Sequence, residues 1–139
     1  MTYALSEPIQ AAIFDRLVND VAVSNLVGAH IFDAPIVLDG VDRPADYVTI
    51  GAETVRNRSS KTSHGALHDL SIVVHSNSDG FQSSKRIAGA ICDALLDATL
   101  PLSRGDLVYL RFLKAKADTG DAPVRRKITL QFRAFAEDS

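Results

Sequence analysis

Tryptophan is absent from these 139 residues, cysteine and methionine occur once each, and no apolar run approaches the roughly 20 residues of a membrane-spanning helix. A lone cysteine, Cys92, excludes an internal disulfide and fits a reducing compartment. Its setting, Ile91-Cys92-Asp93-Ala94-Leu95, reads as a small packed residue on a helix rather than a reactive thiol. Glu7, Asp15, Arg16 and Asp20 interrupt the first twenty residues, so no secretory signal is expected and the chain is expected to be soluble. The glycines, at 28, 40, 51, 65, 80, 89, 105 and 120, are scattered, and no lysine follows a phosphate-loop spacing. Nucleotide binding is therefore unsupported.

Catalytic constellations are missing too. No Gly-x-Ser-x-Gly nucleophile motif occurs. Ser71, Asp69 and His75 share one face of a strand, but same-face side chains project in parallel and do not converge on a substrate. The carboxylates Asp93 and Asp97 stand one helical turn apart, an ordinary spacing on an exposed face. Of the four histidines, His64 and His68 fall where a loop runs into a strand, and His68 and His75 point to opposite strand faces, so none is assigned to a metal. The sequence assigns no catalytic residue, no cofactor and no metal ligand, and the expectation is a protein that is not an enzyme.

With 46% hydrophobic and 23% charged residues, residues 1–139 make one ordinary domain with no room for a second. The net charge of -2, from 15 basic and 17 acidic side chains, gives no bulk attraction for nucleic acid. Charge is unevenly placed, however. Positive residues gather at Arg56, Arg58 and Lys61 and again at Lys114, Lys116, Arg125, Arg126 and Lys127, while acid concentrates in the first 46 residues. Each basic cluster also reads simply as a solvated face or a protected edge strand.

Ser6-Glu7-Pro8 ahead of Ile9, Ile13, Leu17 and Val18 predicts an amphipathic helix capped by Ser6 and ending near Asn19. Asp20 starts a shorter helix through Leu26, stopped by Gly28, and Ile31-Phe32 reads as a small strand or extended lead into a loop. A turn-rich stretch, 35–44, precedes a strand over 46–55 whose return partner is 66–76. Between them lies a polar, basic segment, about 54–66, read as a projecting loop or, where its ends are ladder-paired, a β-arm. A helix from Phe81 to about Ala98 and two strands, 107–116 and 124–135, joined by a loop at 118–123, complete the chain. This order predicts an α+β domain: a mostly antiparallel sheet of about four main strands with helices on one face.

Several ordered segments carry a family resemblance. These are Leu26-Val27-Gly28-Ala29-His30-Ile31-Phe32, then Tyr47-Val48-Thr49-Ile50-Gly51, then Gly65 with His68-Asp69-Leu70-Ser71-Ile72-Val73-Val74-His75-Ser76. They continue through 88–96, Leu107-Val108-Tyr109-Leu110-Arg111-Phe112 and Arg125-Arg126-Lys127-Ile128-Thr129-Leu130-Gln131-Phe132-Arg133. In this order and spacing, from about Leu17 to the C-terminus, the chain resembles the tail terminator, or tail-completion, proteins of phages and gene transfer agents, and looks closest to those of alphaproteobacterial gene transfer agents. Two positions depart from the family's pattern. Asp46 stands before Tyr47 where relatives often place proline, and His75 stands where an aromatic often precedes the strand-ending serine.

The resemblance implies a virion structural protein forming a homo-oligomeric ring, expected as a hexamer, on the head-proximal end of a tail tube. Its implied partners are the major tail tube protein and the head-side stopper or connector, with DNA passing transiently through the lumen and no membrane. It would assemble in the host cytoplasm and then remain at the neck of the particle. On this reading Arg56, Arg58, Lys61 and His64 contact a neighbouring subunit or the tube, and Arg125, Arg126 and Lys127 lie at a ring interface or near passing DNA. The alternative from the residues alone is a small nucleic-acid-binding module built on the basic clusters.

Overall fold

Alternation of buried apolar and partly exposed residues makes Arg126–Asp138 an interior strand: Ile128, Leu130, Phe132, Ala134 and Ala136 are buried, and Lys127, Thr129, Gln131, Arg133 and Phe135 take the alternate positions. In the computed structural model, which describes residues 3–33, 44–77, 80–96, 99–119 and 125–138, that strand is β5. The others are β1 (Ile31–Phe32), β2 (Asp46–Asn57), β3 (His64–Ser76) and β4 (Asp106–Thr119), with helices α1 (Ser6–Val18), α2 (Val21–Val27) and α3 (Gln82–Leu96). One five-stranded sheet runs in the order β1-β2-β3-β5-β4.

The α+β expectation holds, but the sheet has five strands rather than about four and is mixed rather than antiparallel throughout. The difference lies at β1, which pairs parallel to β2 through Ile31 with Val48 and Phe32 with Thr49. Parallel neighbours need a crossover of about a dozen residues, and the stretch between Phe32 and Asp46 is long enough to supply it. The remaining pairs, β2 with β3, β3 with β5 and β5 with β4, are antiparallel.

Local chemistry explains the helix ends. The Asp20 carboxylate accepts from the Val23 amide at 3.1 Å, capping α2, and Gly28 ends it with a φ of 60° that favours glycine. At α1 the expected cap is displaced by one residue. Leu5 occupies the N-cap with no side-chain bond, and Ser6 lies inside the first turn with its hydroxyl donated to Glu53. The last helix begins at Gln82, with Phe81 just ahead of it; Ala98, its expected end, lies outside the described residues.

Leu5, Ile9, Ile13 and Leu17 of the α1 region, Val23 and Val27 of α2, and Ile87, Ile91 and Leu95 of α3 pack with Val48, Ile50, Leu70, Ile72, Val74, Leu130 and Phe132 into one core. A bulge between Ile50 and Glu53 resets the alternation, so that Glu53 and Val55 fall opposite Leu70 and His68 on the core side. The opposite face of the sheet carries Thr49, Thr54 and Arg56 on β2, Asp69, Ser71, Val73 and His75 on β3, Lys127, Thr129, Gln131 and Arg133 on β5, and Lys114 and Lys116 on β4.

Candidate assembly surface

Among the described residues, that second sheet face is packed against no helix; polar and charged side chains share it with Tyr47, Leu67, Val73, Tyr109 and Phe135. At its centre Asp69 accepts two hydrogen bonds from Arg133, Nε at 2.7 Å and Nη2 at 3.1 Å, while the Arg56 guanidinium lies 3.6 Å from the same carboxylate. The Arg133 hydrogen bonds hold the Asp69 carboxyl below its ordinary value, and the charges of Arg133 and Arg56 add to the effect against burial. Arg56 is therefore partly neutralised in the fold. Asp69 is also taken up in structure, although it shares this face with Ser71 and His75.

The expected loop over 54–66 is shorter than its polarity suggests. Thr54 to Asn57 pair with Asp69 to Ala66, so the ladder-paired alternative is the one found, and only residues 58–63 lie outside strands. The tip is internally bonded: the Arg58 amide donates to the Gly65 carbonyl at 2.9 Å, the Ser60 amide to Ser63 at 3.0 Å, and the Ser59 hydroxyl to the Asn57 side chain at 2.6 Å. It is also not a free-standing arm, because His64 to Ala66 pair on their other side with Asp138 to Ala136 of β5. Arg58, Lys61 and His64 are all exposed on this tip.

The second basic cluster divides. Arg125 donates to the carbonyls of Ala45 at 3.1 Å and Pro44 at 3.2 Å and lies over the Tyr47 ring, which stacks on His75 at 4.4 Å with an interplanar angle of 9°. The histidine that departs from the family's aromatic thus still supplies a flat ring, and the Thr49 hydroxyl bonds its Nε2 at 3.1 Å. Asp46, in place of the usual proline, accepts from the Ser83 hydroxyl at 3.2 Å and ties β2 to α3. Arg126 lies over Phe81, and its strand position puts it on the helix side. Lys127 joins the open face beside Lys114 and Lys116.

One polar group escaped the sequence reading. His68 is wholly buried, neither ring nitrogen has a hydrogen-bond partner, and Nδ1 stands 3.9 Å from Glu53 Oε2, beyond hydrogen-bond range. Burial pushes its pKa below the ordinary value, with Glu53 opposing, so the ring is neutral at pH 7. Glu53 in turn accepts from the hydroxyls of Tyr3 and Ser6. Burial, then the charge of Asp93, raises the pKa of the Cys92 thiol, which suits packing rather than nucleophilic work. Among the described residues no group of three or more His, Cys, Asp or Glu gathers as metal ligands, and no helix is long and apolar enough to cross a membrane.

Comparison with known proteins adds two findings. The family described as "Tail completion protein gp17" matches residues 11–137. A chain of a solved structure described as "Virion of native gene transfer agent (GTA) particle" is 40% identical, with 98% of this chain and 99% of that chain covered and a TM-score of 0.89. No curated protein sequence matches.

Proposed function

Because the chain belongs to the tail-completion gp17 family, we propose that it is a structural component of a phage-type or gene-transfer-agent particle that closes the head-proximal end of the tail tube. The observation that carries this reading is the near-complete alignment, at 40% identity, with a chain of a gene transfer agent virion. Copies form a ring, taken as a hexamer, that halts addition of tube subunits and offers the head-side connector a different surface. The logic is that of open polymers. Tube subunits add head to tail, so growth stops only when a subunit matches the exposed end and denies the next subunit the same surface.

The structure suits this work. The hydrogen-bonded tip at 58–63 and the adjoining start of β3 present Arg58, Lys61 and His64 to a neighbour with little ordering cost. The exposed edge strand β4 carries Val108, Phe112 and Leu113 partly uncovered, and two bulges, between Leu107 and Tyr109 and between Phe112 and Lys114, discourage indiscriminate strand pairing. Contact therefore runs through side chains rather than an extended ladder, and neither activity nor cofactor is required. Following tube growth by light scattering tests the reading: substoichiometric chain should stop elongation of purified tail tube protein. Unchanged growth rate and final length at stoichiometric excess would refute it.

A further inference from the structure

The corner of the open sheet face where β4 meets β5 holds a cationic patch that the tube-capping contacts proposed above do not use. It is a recess of about 400 Å³ lined by Lys114, Lys116, Asp118, Lys127, Thr129 and Gln131. The ladder brings these residues together: Lys114 stands opposite Gln131, Lys116 opposite Thr129, and Asp118 opposite Lys127. Same-face residues on one strand are about 7 Å apart and diagonal cross-strand neighbours about 7–8 Å, so Lys114, Lys116 and Lys127 form a line of positive charge with steps of about 7 Å. Lys116 shares its charge with Asp118 at 3.7 Å, on a side chain that is 79% exposed, where such a pair is weak. Lys114 and Lys127 meet no carboxylate within ion-pair distance among the described residues.

We propose that this patch binds the sugar-phosphate backbone of duplex DNA, weakly and without regard to sequence. The chemistry favours a nucleic acid over a protein. Protein interfaces are depleted of lysine at their centres and anchored by aromatic residues, and none of the six lining residues is apolar or aromatic. Lysine ammonium groups flanked by a threonine hydroxyl and a glutamine amide are instead the side chains that phosphate oxygens accept from. The same lack of an aromatic platform removes base stacking, and hence a preference for single strands. A flat sheet face with three cations engages about three phosphates. Such contact is weak enough to break readily.

The inference stands apart from tube capping and is tested on the isolated chain. In fluorescence anisotropy with a labelled mixed-sequence duplex, three phosphate contacts give a slope of about -2.7 in log affinity against log salt, so affinity should fall about 40-fold between about 50 and 200 mM salt. The Lys114→Ala/Lys116→Ala/Lys127→Ala variant, altered only on the surface, should lose this binding with its thermal melt unchanged. Asp118→Asn should tighten binding a few-fold by freeing Lys116, while Arg58→Ala/Lys61→Ala at the tip should bind as the parent does. Three results would each overturn the assignment: no binding at low salt, parental binding by the triple variant, or loss of binding by the tip variant alone. Displacement of duplex by poly-L-glutamate as effectively as by unlabelled duplex, at equal charge, would reassign the patch to an acidic protein.

Discussion

Arg133 on β5 and Asp69 on β3 are directly paired in the ladder, and the guanidinium closes on the carboxylate with two hydrogen bonds of 2.7 and 3.1 Å. This pair pins the centre of the sheet face that no helix covers. Fork-on-carboxylate geometry makes it stronger than an ordinary surface ion pair, although about a third of each side chain remains exposed and solvent screens part of the gain.

Asp69→Asn should therefore lower stability by about 1 kcal/mol at pH 7. Because the folded-state pKa lies below the unfolded value of 3.8, the carboxylate's contribution is present above that value and disappears as pH falls from it through the folded pKa. Urea melts at pH 7 and in the acid limb check both statements. The variant should show a shallower acid decline, and identical pH profiles would count against the pair.

His68 acts in the opposite pH range. Its folded pKa is depressed below 6.5, so the neutral ring suits the fold, and its stabilising effect is complete above 6.5. As pH falls below 6.5 the unfolded chain binds the proton first, and stability declines until the folded pKa is reached. His68→Leu, which removes two unpartnered nitrogens, should match or exceed parental stability at pH 7.5 and flatten the loss between pH 7.5 and 5.5. A variant that keeps the parental pH slope would place the titration elsewhere.

Gly65 tests the packing of the tip. A Cβ there would come within 2.8 Å of both the Arg58 carbonyl oxygen and the Phe135 ring, whereas at Gly89 in α3 it would meet nothing within 4 Å. Gly65→Ala should cost about 1–3 kcal/mol by overpacking, and Gly89→Ala should add about 0.5–1 kcal/mol through helix propensity. Thermal melts of the two variants should move in opposite directions.

Much of the architecture is legible in side-chain periodicity, and the exceptions have physical reasons. The alternation from Ile128 to Ala134 marks both faces of β5 because one face is dry. The bulge after Ile50 is silent because Gly51 and Ala52 carry too little side chain to mark a face. Thr54 to Asn57 look like loop because this end of β2 is largely exposed, so burial imposes no pattern. The cluster at 125–127 is contiguous in sequence, yet strand alternation sends Arg126 and Lys127 to opposite faces, a signal the period of two already contained. His68 continues the dry face of Leu70, Ile72 and Val74, so the period of two places it in the core, while its lack of a hydrogen-bond partner leaves no mark in the sequence.

On the proposed function, the tip cations serve assembly rather than folding. Arg58→Ala/Lys61→Ala should leave the melt within about 0.5 kcal/mol of the parent, because both side chains are exposed, yet reduce the yield of joined particles in a complementation assay. Normal joining would remove the tip from the assembly surface.

Tube capping itself is tested most directly by electron microscopy of tail tubes assembled with gold-labelled chain. The account predicts label on one end of each tube only, as a closed ring of equivalent copies, with tubes that no longer elongate when fresh subunits are added. Label along the tube wall, or capped ends that continue to grow, would contradict it.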